Sequence, residues 1–293
     1  MCKASRQSIT AGATRFSLAA PLVPRDSRRM SSPTPSDQPM PADAPAVVPA
    51  ATVVIFRRAA DGGPPDVLMV QRAKEMRFAG GAAVFPGGRV DPADRELARR
   101  LLPGEAEEIA AARIAAIRET LEETGLMIAT RQPVGAAEAA KARALLLADG
   151  RLATVLDRFG WDLDPAALTL FAHWCPLWDK AFDTRFFVTD LGTGAVDITV
   201  DATENTRLFW TSAAEALAMA DRGEIAVIFP TRRNLERLAL YADHAAALAD
   251  IAAHPVARIH PSLEDRDDGE WLVIAAGHGY PVLGQPRATA KRG

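Results

Sequence analysis

Glu119, Glu122 and Glu123 stand at i, i+3 and i+4 in the run Arg118-Glu119-Thr120-Leu121-Glu122-Glu123-Thr124-Gly125-Leu126. On a helix that spacing puts all three carboxylates on one face, and Gly125 then stops the helix. Like charges this close destabilise a helix unless a cation neutralises them. Oxygen-only donors at such density suit a hard divalent ion, Mg²⁺ or Mn²⁺. The chemistry expected of it is metal-assisted attack on a phosphate-type centre. Acidic clusters on helices are more often plain solvated faces, but the flanks argue otherwise. Upstream, Phe85-Pro86-Gly87-Gly88 forms a turn whose glycines let backbone approach a ligand closely. An Ala-rich, helix-compatible stretch from Glu105 to Ile117 joins the turn to the acidic run.

The order strand, Gly-Gly loop, helix, acidic face, glycine stop resembles the Nudix hydrolase family. That family's motif reads Gly, five residues, Glu, seven residues, then Arg-Glu-apolar-x-Glu-Glu-x-Gly-apolar. Arg118 to Leu126 matches its second half, with Thr120 in place of an apolar residue. The first half departs. Counting back from Arg118 puts Gly104 and Ala110 at the Gly and Glu positions, whereas counting forward from Gly88 puts Asp94 at the Glu position. An insertion around Pro92 to Gly104, in the loop between turn and helix, accounts for the mismatch, and loops accept such additions at little cost. Asp94, Glu107, Glu108 or no residue at all then replaces the missing glutamate.

A second constellation precedes the turn. Leu68-Met69-Val70-Gln71-Arg72-Ala73 is followed at fixed intervals by Arg77, Gly81 and Phe85-Pro86-Gly87-Gly88. This spacing is similar to the accessory motif of the coenzyme A diphosphatase branch, although Val70 lacks the hydroxyl of that branch's Thr. Arg72 and Arg77 would bring guanidinium forks to a pyrophosphate or a 3′-phosphate, with Phe85 beside them. The segments Phe171-Ala172-His173-Trp174-Cys175-Pro176 and Phe182-Asp183-Thr184-Arg185-Phe186-Phe187 look like that branch's longer, insertion-bearing members. His173 has no partner at metal spacing and reads as a packed histidine. Trp174, Phe186 and Phe187 read as core.

The resemblance implies an α/β/α sandwich over roughly Val53 to Ala253. It implies cleavage of a nucleoside diphosphate derivative, with coenzyme A or an acyl-coenzyme A first among substrates. Cations held by Glu119, Glu122, Glu123 and the carbonyl of Gly87 would neutralise charge on the anhydride. Arg118 would orient a neighbouring glutamate. Glu119, Glu122 or Glu204 would serve as base. Two alternatives stay open: a Nudix hydrolase for ADP-ribose, NADH or a dinucleoside polyphosphate, and a non-catalytic binding module, which Ala110 favours.

The bulk properties agree with a globular α/β protein. The chain has 293 residues, 48% hydrophobic and 24% charged, with a net charge of −3. That balance gives no basis for a stable nucleic-acid partner. No apolar run approaches the ~20 residues of a membrane span. Cys2 and Cys175 supply neither a disulfide framework nor a thiolate zinc site, which fits a cytoplasmic enzyme. The expected partner is a small-molecule nucleoside diphosphate, and a homodimer stays open.

The elements that must position these residues can be read in turn. Residues 1–46, rich in Ser, Pro, Ala and Arg, read as a disordered segment. It is either a targeting segment or an over-long start ahead of Met30 or Met40. Strands are expected at Ala51–Arg57, Asp66–Gln71, Ala82–Phe85, from Ile128, and at Thr169–Cys175, Thr184–Thr189 and Arg207–Trp210. Helices are expected at Glu105–Glu123, Ala136–Phe159, Ala213–Asp221 and Thr231 to about Ala253. The expected organisation is one Nudix domain, 47–253, with insertions near 92–104 and 132–167. A C-terminal extension, 254–293, contains a hairpin-like stretch at Ile259–Leu283.

Overall fold

The computed structural model describes residues 46–59, 61–74, 79–178, 181–192 and 205–290. Residues 1–45, with Met30 and Met40, lie outside the described residues, as do Arg77 and Glu204.

The first long strand, β1 (Val48–Arg57), alternates its side chains between two cores. Val53 and Ile55 enter one, Val54 and Phe56 the other, and all four are almost fully buried. A strand apolar on both faces belongs inside a sheet covered on both sides. β1 pairs antiparallel with β2 (Asp66–Arg72) and β4 (Gly87–Arg89), and parallel with β6 (Phe182–Asp190). The mixed sheet runs β3 (Ala83–Val84), β2, β1, β6, β5 (Thr169–Trp174), β8 (Arg258–Ile259). β7 (Asn205–Ser212) adds to β2.

On one face lies α2 (Glu107–Thr124), whose Ala111, Ala115, Ile114, Ile117 and Leu121 are wholly buried. Small alanines let this helix lie close to the strands, while its charged residues gather toward its two ends. α3 (Ala136–Asp149) and α4 (Leu152–Phe159) back the same core. On the other face sit α5 (Ala213–Asp221), α6 (Phe229–Leu238) and α7 (His244–Ala253). The fold is an α/β/α sandwich with a mixed sheet. Among the described residues no helix is long and apolar enough to cross a membrane.

Several elements depart from expectation. The stretch 92–104, read as a loop insertion, carries helix α1 (Pro92–Leu101). Asp91 and Pro92 supply a helix start, and Leu97 and Ala98 bury against the α2 core. Gly150, with φ +74°, divides the single helix expected over 136–159 into α3 and α4. The helix expected from Thr231 to about Ala253 is interrupted between α6 and α7, where Asp243 caps the second. Near Ile128 there is only an isolated bridge, Thr130 to Leu163. Beyond α7, β8 joins the main sheet, and β9 (Ser262–Arg266), β10 (Gly269–Val273) and β11 (Gly284–Pro286) form a second, three-stranded sheet.

Candidate active site

The site begins where β4 meets the C-terminal half of α2. Gly87 lies opposite Thr52 and Gly88 opposite Ala51 on β1. A Cβ on Gly87, whose φ is +153°, would stand 2.2 Å from the Ala51 carbonyl oxygen, so backbone itself excludes a side chain there. A Cβ on Gly88 would stand 2.4 Å from the Glu119 carboxylate. The two glycines thus leave space for different things: the first for a neighbouring strand, the second for an acidic side chain. Glu123 ties helix to strand, accepting the Gly87 N–H at 3.0 Å.

Arg118 organises the carboxylates. It is 5% exposed. Its Nε and Nη2 donate to the two oxygens of Asp94, both at 3.0 Å, and Nη2 also donates to the Arg89 carbonyl at 2.8 Å. Nη1 lies 2.9 Å from Glu119 and 3.3 Å from Glu122. Burial alone would make this guanidinium easier to deprotonate, but Asp94 and Glu119 outweigh it and hold the proton more firmly. Asp94 is therefore the carboxylate that faces Arg118, as the count forward from Gly88 allows. Its Oδ2 also accepts the Asp91 N–H at 2.8 Å, so the start of α1 fixes it. Glu107 and Glu108 instead pair with Arg99 and Arg95 at the surface.

The three glutamates differ in surroundings. Burial pushes the Glu119 carboxyl up to about 8, with Arg118 opposing and Glu123 and Glu122 adding to the rise. Glu122 is the most open. Glu123 is buried, with Arg72 Nη1 3.9 Å from its Oε1 and Asn205 Nδ2 at 3.5 Å. Among the described residues no three His, Cys, Asp or Glu side chains close into a ready metal cage. Arg118 Nη1 stands between Glu119 and Glu122, close enough to pair with both. The donor set still fits a hard divalent ion: oxygen-only, beside the paired glycines of β4, with one carboxyl whose charge burial disfavours. Thr120, where an apolar residue was expected, donates its hydroxyl to the Ala116 carbonyl at 2.7 Å and is fully buried. Arg143 of α3 donates to the Glu122 carbonyl at 2.8 Å, serving the unpaired carbonyls at the end of α2.

Beside the carboxylates opens a cavity of about 760 Å³, lined among others by Thr52, Arg72, Phe85 and Gly87. Nε of Arg72 is buried without a hydrogen-bond partner. The structure thus gathers Arg118, Glu119, Glu122, Glu123, Gly87, Arg72 and Phe85 at one end of the sheet. His173 packs as expected, fully buried, with Nε2 against Asp183. Asn205 and Arg143 carried no signal in the sequence, since their contacts cross 82 and 21 positions of chain.

Neither a protein-family model nor a curated protein matches the chain. Among solved structures, a NUDIX hydrolase from Alicyclobacillus acidocaldarius is similar at 29% identity and a TM-score of 0.58, over 70% of this chain and 96% of that one. A MutT protein from Methanosarcina mazei Go1 overlaps more loosely, at 17% identity and a TM-score of 0.35, over 67% of this chain and 94% of that one. So does the NUDIX domain of Shewanella oneidensis NrtR complexed with ADP ribose, at 15% and 0.36, over 65% and 85%. The α/β/α fold of this chain is thus similar to that of a NUDIX hydrolase.

Proposed function

We propose that the chain is a divalent-cation-dependent hydrolase of the pyrophosphate bond in a nucleoside diphosphate derivative, with coenzyme A or an acyl-coenzyme A as the substrate. The observation that carries this reading is the Arg118 cluster. One buried guanidinium pairs with Asp94, Glu119 and Glu122, and the neighbouring Glu123 contacts Arg72 and Gly87, which line the cavity.

Glu119, Glu122 and Glu123 would hold Mg²⁺ or Mn²⁺, with the Gly87 carbonyl as a further oxygen donor. Such an ion, when bound, offsets charge on the anhydride and lowers the pKa of water. The remaining work falls to the chain. Arg118 keeps Glu119 and Glu122 facing the same side of α2. Arg72, with an unpaired buried Nε beside Glu123, offers a guanidinium to a phosphate. Arg77 is assigned the same task and Phe85 a place in the pocket wall. Hydrolysis takes a proton from the incoming water, and Glu119, Glu122 or Glu204 accepts it. For coenzyme A the products are 4′-phosphopantetheine and 3′-phosphoadenosine 5′-phosphate. The case for a binding module rested on Ala110; Asp94 already supplies a carboxylate to Arg118 and weakens it.

Incubation with coenzyme A, ADP-ribose, NADH and a dinucleoside polyphosphate, each with Mn²⁺, tests the reading by mass-spectrometric product identification. Preferential release of the two coenzyme A fragments is expected. Binding without cleavage of any of the four overturns the hydrolase assignment. Faster turnover of ADP-ribose or NADH retires coenzyme A alone.

A further inference from the structure

The cavity is larger than a diphosphate needs, and its second part is built by residues outside the Gly-Gly turn and acidic helix. Pro261, Ser262, Leu263, Leu272 and Arg287 line it from the C-terminal segment, facing Trp174, Trp178 and Phe182 from the strands and loop around β5 and β6. Leu263 and Leu272 are direct cross-strand partners, so both side chains leave the same face of the C-terminal sheet. Trp178 and Leu263 are 50% and 49% exposed, apolar surface that a ligand would cover. The cation on this side, Arg287, is already paired with Glu270. The same cavity is also lined by Arg72 and Gly87, both of which contact Glu123. Charge is offered at the carboxylate end, and apolar surface on the wall contributed by the C-terminal sheet.

That wall is anchored to the core. Trp174 Nε1 donates to the Tyr280 hydroxyl at 3.0 Å, which donates to Asn234 of α6 at 2.7 Å. Tyr280 therefore fixes both the ring of Trp174 and the chain leading into β11.

We propose that the C-terminal sheet is a specificity-determining wall, and that Leu263, Leu272 and Trp178 receive an apolar group carried by the non-nucleoside half of the diphosphate. This rests on the reading of Glu119, Glu122 and Glu123 as the hydrolytic end. Each methylene buried there favours binding on the order of fourfold.

The test compares free coenzyme A, dodecanoyl-coenzyme A and ADP-ribose in the full-length protein and in Leu263→Asn and Trp178→Ala, both at exposed positions. Wild type should have a lower KM for the dodecanoyl thioester than for free coenzyme A. Each substitution should cut kcat/KM for the thioester about tenfold or more, mainly through KM. Free coenzyme A and ADP-ribose should stay within about twofold. Equal losses on all three substrates, or no loss on any, overturns the proposal. Titration calorimetry of the two coenzyme A ligands without metal separates the two readings. Tighter binding of the thioester with no cleavage of anything keeps the wall and retires the hydrolase. Cleavage of both with equal binding does the reverse.

Discussion

Removing the charge of Asp94 tests whether the Arg118 cluster is organised as described. In Asp94→Asn the side chain keeps its size, but Arg118 faces an amide that can accept one hydrogen bond and opposes the second with its own N–H groups. Two charge-assisted bonds of 3.0 Å are affected, between groups 1% and 5% exposed. Breaking a buried ion pair from one side costs about 3–5 kcal/mol. Glu119 and Glu122 remain near Nη1 and the Arg89 carbonyl near Nη2, so the lower bound applies, ~3 kcal/mol. For a domain of this size that corresponds to a fall of roughly 6–12 °C in Tm. Urea unfolding followed by circular dichroism, with m unchanged, is the assay. Glu108→Ala is the comparison: its partner Arg95 lies at the surface, and such exposed pairs contribute about 0–1 kcal/mol. A stability of Asp94→Asn within 0.5 kcal/mol of wild type, on the scale of an exposed pair, would refute the reasoning. So would a greater cost for Glu108→Ala.

Other perturbations follow from the same geometry. Gly88→Ala should leave stability nearly intact, because a carboxylate can swing away, yet depress turnover by moving Glu119. Gly87→Ala should cost roughly 2–4 kcal/mol in urea unfolding, because backbone on β1 cannot yield; comparable stability losses in the two variants would contradict this. Glu122→Gln and Glu123→Gln should lower turnover by orders of magnitude and weaken Mn²⁺ binding in calorimetry, and unchanged rates in both would remove the assigned carboxylates. Acid should unfold the protein through His173 and Asp183. Burial holds the His173 imidazole below its usual value, so the unfolded chain gains the proton first and stability falls as pH drops below about 6.5. Burial would raise Asp183, but His173, Arg185 and Arg258 outweigh it and hold it at about 2; its contribution is full above the usual carboxylate value and is lost as pH falls toward 2. His173→Gln should flatten the slope of stability between pH 6.5 and 5, and an unchanged slope would contradict the assignment.

The acidic helix was legible because its meaning is local: i, i+3, i+4 spacing needs nothing but a helix. The glycine pair was legible as a place of close backbone approach, but not as strand: expected in a turn, Gly87 and Gly88 belong to β4 and pair with β1. The identity of the carboxylate facing Arg118 was not, since Asp94, Glu107 and Glu108 all stand within reach along the chain. The choice followed from how α1 packs on α2, where Leu97 and Ala98 bury and turn Asp94 inward. The same packing sends Glu107 and Glu108 outward to Arg99 and Arg95. Helix breaks at Gly150 and after α6 escaped notice because good helix formers, Ala, Leu and Arg among them, stand on both sides of each.

By itself the sequence determined which residue types could bind a hard cation, that a glycine pair would lie close to them, and that strands interspersed with helices would build an α/β domain. These are consequences of spacing and of side-chain chemistry along short stretches of chain. Tertiary structure decided what no short stretch contains: the pairing of Asp94 with Arg118, the contact of Asn205 with Glu123, and a cavity wall supplied by the C-terminal sheet. Those depend on which surfaces are pressed together to remove apolar area from water, a balance summed over the whole fold.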